Sequence, residues 1–205
     1  IRDRYSPENI DHNGTGISQD DGEGKREGLE VGWYKNGKKN WEGNFKDGKE
    51  DGFWTKWYEN GKKWDESNWK DGKREGLRTT WYENGHKRRR GKYKDGNKDG
   101  LRTTWHENGQ KKSESNWKNG KRDMLGTWWY ENGQKGVEVN FDYGKTITVT
   151  TWKPNGEKCP LTNVKDGNGI AVSYNEDGSE KKRVTFKGGE IIEAEERSES
   201  PVEWS

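Results

Sequence analysis

The chain has 205 residues, 24 % of them hydrophobic, and its 39 Lys and Arg nearly cancel 37 Asp and Glu to leave a net charge of +2. Leu, Ile, Val and Phe supply only 24 residues, too few for a thick globular core, yet 13 Trp and 8 Tyr argue against a disordered chain, which is poor in aromatics. No apolar run approaches the roughly 20 residues that span a bilayer, and the lone Cys159 excludes an internal disulfide framework. No signal-peptide core is visible, and the location stays open between cytoplasmic and secreted or cell-surface.

The elements follow in chain order. Residues 1–24 form an N-terminal segment with one eroded motif, Ile10-Asp11-His12-Asn13-Gly14. Residues 25–145 carry five regular copies of that motif: WYKNG at 33–37, WYENG at 57–61, 81–85 and 129–133, and WHENG at 105–109. Their aromatic heads Trp33, Trp57, Trp81, Trp105 and Trp129 recur every 24 residues, as do the closing Gly37, Gly61, Gly85, Gly109 and Gly133. A second corner keeps step at Asp47-Gly48, Asp71-Gly72, Asp95-Gly96, Asn119-Gly120 and Tyr143-Gly144, just after Phe45, Trp69, Tyr93, Trp117 and Phe141. Such self-similarity marks a repeat protein. Residues 146–192 read as two diverged copies, with the spacing loosening to Trp152 and Tyr174, and 193–205 as an acidic C-terminal tail.

Each unit reads as two strands and two turns. GFWTKWY at 52–58, GLRTTWY at 76–82 and GLRTTWH at 100–106 are rich in Thr and aromatics, as strands are. Asn84-Gly85 is expected to supply both positive-φ positions of a type I′ turn. A two-residue loop there would set Tyr82 opposite Lys87; a three-residue loop would change every partner. Alternation puts Leu77, Thr79 and Trp81 on one face and Arg78, Thr80 and Tyr82 on the other. The predicted fold is all-β, an elongated single-sheet ribbon or solenoid of antiparallel β-hairpin repeats of about 24 residues.

The stretches GNFKDGKEDGFWTKWYENGKK at 43–63 and SNWKNGKRDMLGTWWYENGQK at 115–135 resemble the MORN repeat variant, and more narrowly the bacterial repeats of the YwqK-like antitoxin family. The resemblance covers 25–145 closely, and 10–24 and 146–192 loosely. Met124 and Gly126 depart from its Gly-Leu-aromatic order. It implies a β-hairpin array that acts as an interaction scaffold, a membrane-associated module or an antitoxin, with no catalytic residues to carry over.

The residues themselves offer little catalysis. His12, His86 and His106 occupy different positions in different units, and nothing in their spacing gives a nucleophile a base within reach. No cofactor and no small-molecule substrate are expected. Asp95, Asn97 and Asp99 open like a calcium loop, but the twelfth position is His106 rather than Glu, and neighbouring units use the same segment as an ordinary turn. The basic run Lys87-Arg88-Arg89-Arg90 raises nucleic acid, against which stand the small net charge and acids in every unit, such as Glu66 and Glu114, that would pair with it. Membrane-surface or glycan binding through aromatic ladders is a lesser alternative.

Protein contact is the expected role. Variation among copies concentrates at positions 54, 78, 102 and 126 and at 65, 89, 113 and 137. The candidate partner-binding face is therefore Trp54, Tyr58, Arg78, Tyr82, Arg89, Arg102, His106, Trp128 and Tyr130, rich in the Tyr, Trp and Arg that anchor interfaces. The rival is a filament subunit that pairs with copies of itself head to tail, its C-terminal run from Gly189 serving either as a charged cap or as a strand that engages residues 1–10 of the next copy.

Overall fold

Gly every few residues and the lack of a 3.6-residue apolar stripe leave strands and turns as the only regular structure these segments can make. In chain order the strands are β1 (Gln19–Asp20), β2 (Arg26–Trp33), β3 (Lys39–Lys46), β4 (Lys49–Trp57), β5 (Lys63–Lys70), β6 (Lys73–Trp81), β7 (Lys87–Lys94), β8 (Asn97–Trp105), β9 (Lys111–Lys118), β10 (Lys121–Trp129), β11 (Lys135–Asp142), β12 (Lys145–Thr151), β13 (Gly169–Tyr174), β14 (Glu180–Lys187) and β15 (Glu190–Glu196). The structure, a computed structural model, describes residues 19–20, 22 and 24–196. The eroded motif at 10–14 with its His12, the segment 1–10 and the tail beyond Glu196 lie outside the described residues.

Strands β1 to β12 form one antiparallel sheet of consecutive hairpins in sequence order, not closed into a barrel, and β13 to β15 form a second, three-stranded sheet. The predicted single sheet thus holds through β12, and the last three strands pair among themselves. The chain divides into two compact units between Gly100 and Leu101.

The two corners are built differently from each other. At the acid-Gly corner Asp71 and Gly72 have φ of 50° and 77° while Lys70 pairs with Lys73 around them, which is the type I′ geometry. The Gly72 N–H reaches back one unit to the Glu50 carbonyl (2.9 Å), and the Asp71 N–H to the Asp51 carboxylate (3.2 Å). At the WYENG corner Gly85 has φ 96°, but Asn84 is not at positive φ. The Gly85 N–H returns to the Tyr82 carbonyl and the Tyr82 N–H to the His86 carbonyl, both at 2.9 Å. This is a three-residue loop, a type I turn closed by a left-handed Gly. The expectation of a type I′ turn at Asn84-Gly85 is corrected: the Asn84 side chain instead accepts the His86 N–H (2.9 Å), which holds the ordinary turn. Trp81 consequently faces Lys87 and Thr80 faces Arg89, with a bulge between, so Tyr82 is not opposite Lys87.

Register fixes the faces. Trp54, Ser67, Arg78 and Gly91 run in one row across β4 to β7, with Lys56, Asp65, Thr80 and Arg89 in the adjacent row of the same face. In the first unit that face is filled with rings rather than aliphatics. Trp41 stacks on Trp54 (centroids 5.4 Å, 17° between planes), Phe45 meets Trp54 edge-on at 5.0 Å, and the Arg26 guanidinium lies 3.6 Å from the Phe45 centroid. The bare backbone of Gly43 makes the bed: a Cβ there would lie 2.1 Å from the Trp54 ring. In the second unit β10 to β12 and the three-stranded sheet enclose an aliphatic core of Val139, Val149, Val164 and Ala171, flanked by Trp128, Val137, Phe141 and Phe186.

Candidate interaction face

Within each of the two units the corner residues join one repeat to the next. The Tyr34 hydroxyl donates to the Trp57 carbonyl (2.6 Å), Tyr58 to Trp81 (2.7 Å) and Tyr130 to Trp152 (2.8 Å). His106 takes the same place, its Nε2 3.2 Å from the Trp129 carbonyl and its Nδ1 3.4 Å from the Glu131 carboxylate. The amides of Asn108 and Asn132 donate forward to the carbonyls of Glu131 and Pro154. The corner Trp side chains are buried at Trp33 and half-buried at Trp57, Trp81, Trp105 and Trp129. Lys39 Nζ lies 5.7 Å from the Trp57 ring, as Lys111 Nζ does from Trp129. Gly37, Gly61, Gly85, Gly109 and Gly133 all have positive φ.

The candidate face divides by burial. In the first unit Trp54 is buried in the ring stack, Tyr58, Arg78 and Tyr82 are half-buried, and Arg89 is exposed. In the second, His106 and Tyr130 are buried, while Arg102 and Trp128 are half-buried. Arg78 Nε donates to the buried Asp65 carboxylate (2.6 Å), which also accepts from the Ser67 hydroxyl. Burial pulls the Arg78 guanidinium down, but the hydrogen bond and charge of Asp65 outweigh it and hold it above its ordinary value. Much of this face thus serves the fold, with Arg89 its most open member.

The opposite face carries a row that the sequence reading passed over. Leu29, Phe53 and Leu77 in the first unit, and Leu101 and Leu125 in the second, are 36 to 51 % exposed. Leu29 is paired with Asn44, Phe53 with Asn68, Leu77 with Lys92 and Leu125 with Asn140, so polar partners flank the row. The signal was present as an apolar residue after the strand's Gly or Met at every 24th position.

The metal look-alike comes apart. Asp95 sits in a type I′ turn, while Asn97 and Asp99 run out along β8 rather than around an ion. Among the described residues no three His, Cys, Asp or Glu side chains converge to hold a metal. Cys159 is 2 % exposed, with its Sγ 3.0 Å from the Tyr174 hydroxyl. Burial pushes the thiol up, but hydrogen bonds from Tyr174, Thr162, the Leu161 backbone and Thr151 outweigh it and set it below its ordinary value. It sits among hydroxyls, with no histidine beside it among the described residues.

The repeating unit is therefore a strand, a WYENG-type corner and a returning strand, ended by an acid-Gly turn. Residues 50–71, 74–95 and 98–119 match the MORN repeat variant. Each matched MORN repeat is one such hairpin: β4 with β5, β6 with β7, and β8 with β9. The corners at 33–37 and 129–133 lie outside the matched segments yet make the same joints, through Tyr34 and Tyr130. Comparison with curated proteins gave no match. Among the described residues no helix is long and apolar enough to cross a membrane.

Proposed function

We propose that the chain is a non-catalytic repeat scaffold that holds another protein against the exposed apolar row of its sheet. MORN repeats are commonly protein- or membrane-interaction modules. The observation that carries the reading is the row in the first unit: a chain so poor in aliphatics leaves Leu29, Phe53 and Leu77 partly exposed there, as it does Leu101 and Leu125 in the second unit. The joints between units use backbone carbonyls, Tyr hydroxyls and Asn amides. The row is therefore available for contact: exposed apolar side chains recur on every second strand, with Asn and Lys between them, as anchor points for a partner. An antitoxin-like role would make the partner a toxin.

A second reading puts the partner on the other face, at Tyr58, Arg78, Tyr82, Arg89, Arg102 and Trp128, and rests on the exposure of Arg89 within the basic run. Self-assembly is less favoured at the C-terminal end. There β15 pairs with β14 alone among the described strands, and Glu190, Glu193, Glu195 and Glu196 charge it against further pairing.

Two surface variants separate these readings. Phe53→Ser with Leu77→Ser should abolish stoichiometric capture of a foreign protein while the melting curve stays in place, and Arg89→Glu should leave capture intact. The reverse pattern would move the site to the basic face. A chain that captures only itself, in particles that grow with concentration, would overturn the scaffold reading.

A further inference from the structure

The second unit contains a feature that the scaffold role does not use. A cavity of about 370 Å³ lies between β10–β12 and the β13–β15 sheet, walled by Val137, Val139, Phe141, Val149, Ala171 and Phe186. Ligand sites run from about 300 to 1,000 Å³, and a dry cavity of about 150 Å³ already holds a benzene ring, so this one suits a ligand of roughly twice that bulk. Its wall carries one charged side chain, Arg122.

Arg122 is held but has no acidic partner among the described residues. Its guanidinium lies 5.2 Å from the Trp117 and Trp128 ring centroids and 5.7 Å from that of Phe141. Burial pulls it below its ordinary value, with no carboxylate to offset the loss. The two equivalent arginines answer the charge differently: Arg74 lies over the Trp69 and Tyr93 rings with Arg78, not an acid, four residues on. Arg26, at the equivalent position four repeats earlier, is bonded to the buried Glu30 carboxylate. The counterpart of Glu30 four residues after Arg122 is Gly126, covered instead by the Trp128 and Phe141 rings. Here the architecture keeps the cation and the aromatic cradle but supplies no anion of its own. Arg122 is an exposed residue at the mouth of the cavity, so a charged head can approach it from outside.

We propose that this cavity binds a small aliphatic carboxylate of the medium-chain fatty acid class, with its chain among the valines and its carboxylate on Arg122. A neutral apolar ligand would make no use of the guanidinium at the cavity wall, and a sugar or nucleotide would find few donors on a mostly aliphatic wall. Arg is suited to the head because its planar fork meets both carboxylate oxygens.

Calorimetric titration of the full chain with decanoate and, separately, decanol tests the site. Decanoate should bind saturably at one site and decanol should bind more weakly. Arg122→Gln should weaken decanoate about tenfold or more, the effect of losing one charge-assisted hydrogen bond, with Arg122→Lys in between and decanol unchanged. Ala171→Leu, which fills the wall, should weaken both ligands. Thermal melts establish that each variant is folded; should Arg122→Gln not fold, the comparison of decanoate with decanol on the wild type and on Arg122→Lys decides. Absence of saturable decanoate binding, equal affinity for decanoate and decanol, or unaltered affinity in a folded Arg122→Gln would overturn the proposal.

Discussion

The Tyr58 hydroxyl donates to the Trp81 carbonyl at 2.7 Å, tying one corner to the next 23 residues on, and Tyr34 does the same for Trp57. A hairpin alone is marginal in water, so a row of hairpins depends on such joints. Removing one phenol leaves a carbonyl without its donor, at a net cost of about 1 kcal/mol. Tyr58→Phe is expected to lower the unfolding free energy by about that amount, and Tyr34→Phe with Tyr58→Phe by about twice as much if the two joints act independently. Urea denaturation reads both. His106→Tyr should be neutral or slightly stabilising, since it restores the phenol found at Tyr34, Tyr58 and Tyr130.

Gly43 tests the ring stack from beneath. A Cβ at this position would come within 2.1 Å of the Trp54 ring, which is itself stacked on Trp41 and cannot move freely. Gly43→Ala is expected to cost about 3 kcal/mol, the upper range for forced overpacking. Gly61→Ala has open space around it but a φ of 88°, and should cost only about 1 kcal/mol in backbone strain. Equal midpoints for the two variants would mean that the Trp54 ring does not lie over Gly43.

The period, the strands and the sharing of a face by positions 54, 78, 65 and 89 were legible because Gly, aromatic and Thr spacing is a local signal. Which corner takes the type I′ turn was not. Asn-Gly and Asp-Gly advertise the same turn, and what separates them is the His86 N–H donating to the Asn84 side-chain oxygen, which spacing does not reveal. The separate sheet of β13 to β15 depends on long-range pairing that a loosened repeat cannot specify. Burial was the hardest part to read. Trp54 stands at a position that varies among the copies yet is buried, whereas Leu77 recurs and is exposed, because in a sheet without a continuous second layer cover comes from neighbouring rings.

Asp65 and Arg78 form a pair in which the acid is buried and the base is mostly so. Asp65→Ala would leave the guanidinium without its carboxylate partner, and is expected to cost about 3 kcal/mol, the lower end for breaking a buried pair. Replacing both partners, by Asp65→Leu and Arg78→Met, should recover most of the loss because no buried charge is then stranded. Chemical denaturation of the two single variants and the double gives the coupling. A double variant as unstable as the sum of the singles would mean the two side chains do not act as a pair.

The second unit should weaken in alkali. Burial, with the charges of Glu176 and Cys159, pushes the Tyr130 phenol up to about 12, and burial with the Cys159 contact does the same to Tyr174. In the unfolded chain both ionise near 10. Between pH 10 and 12 the unfolded state therefore releases protons that the folded state keeps, so the stability is complete below 10 and is lost as pH rises toward 12. Cys159 runs the other way: its depressed thiol adds stability above the unfolded thiol's pKa and loses it as pH falls through the folded one. Melting temperatures across this range should fall for the wild type and fall less steeply for Tyr130→Phe and Tyr174→Phe, while Cys159→Ser should keep the alkaline fall but lose the rise that precedes it. If the double Tyr130→Phe, Tyr174→Phe variant still weakened as steeply as the wild type, the alkaline sensitivity would lie in other groups.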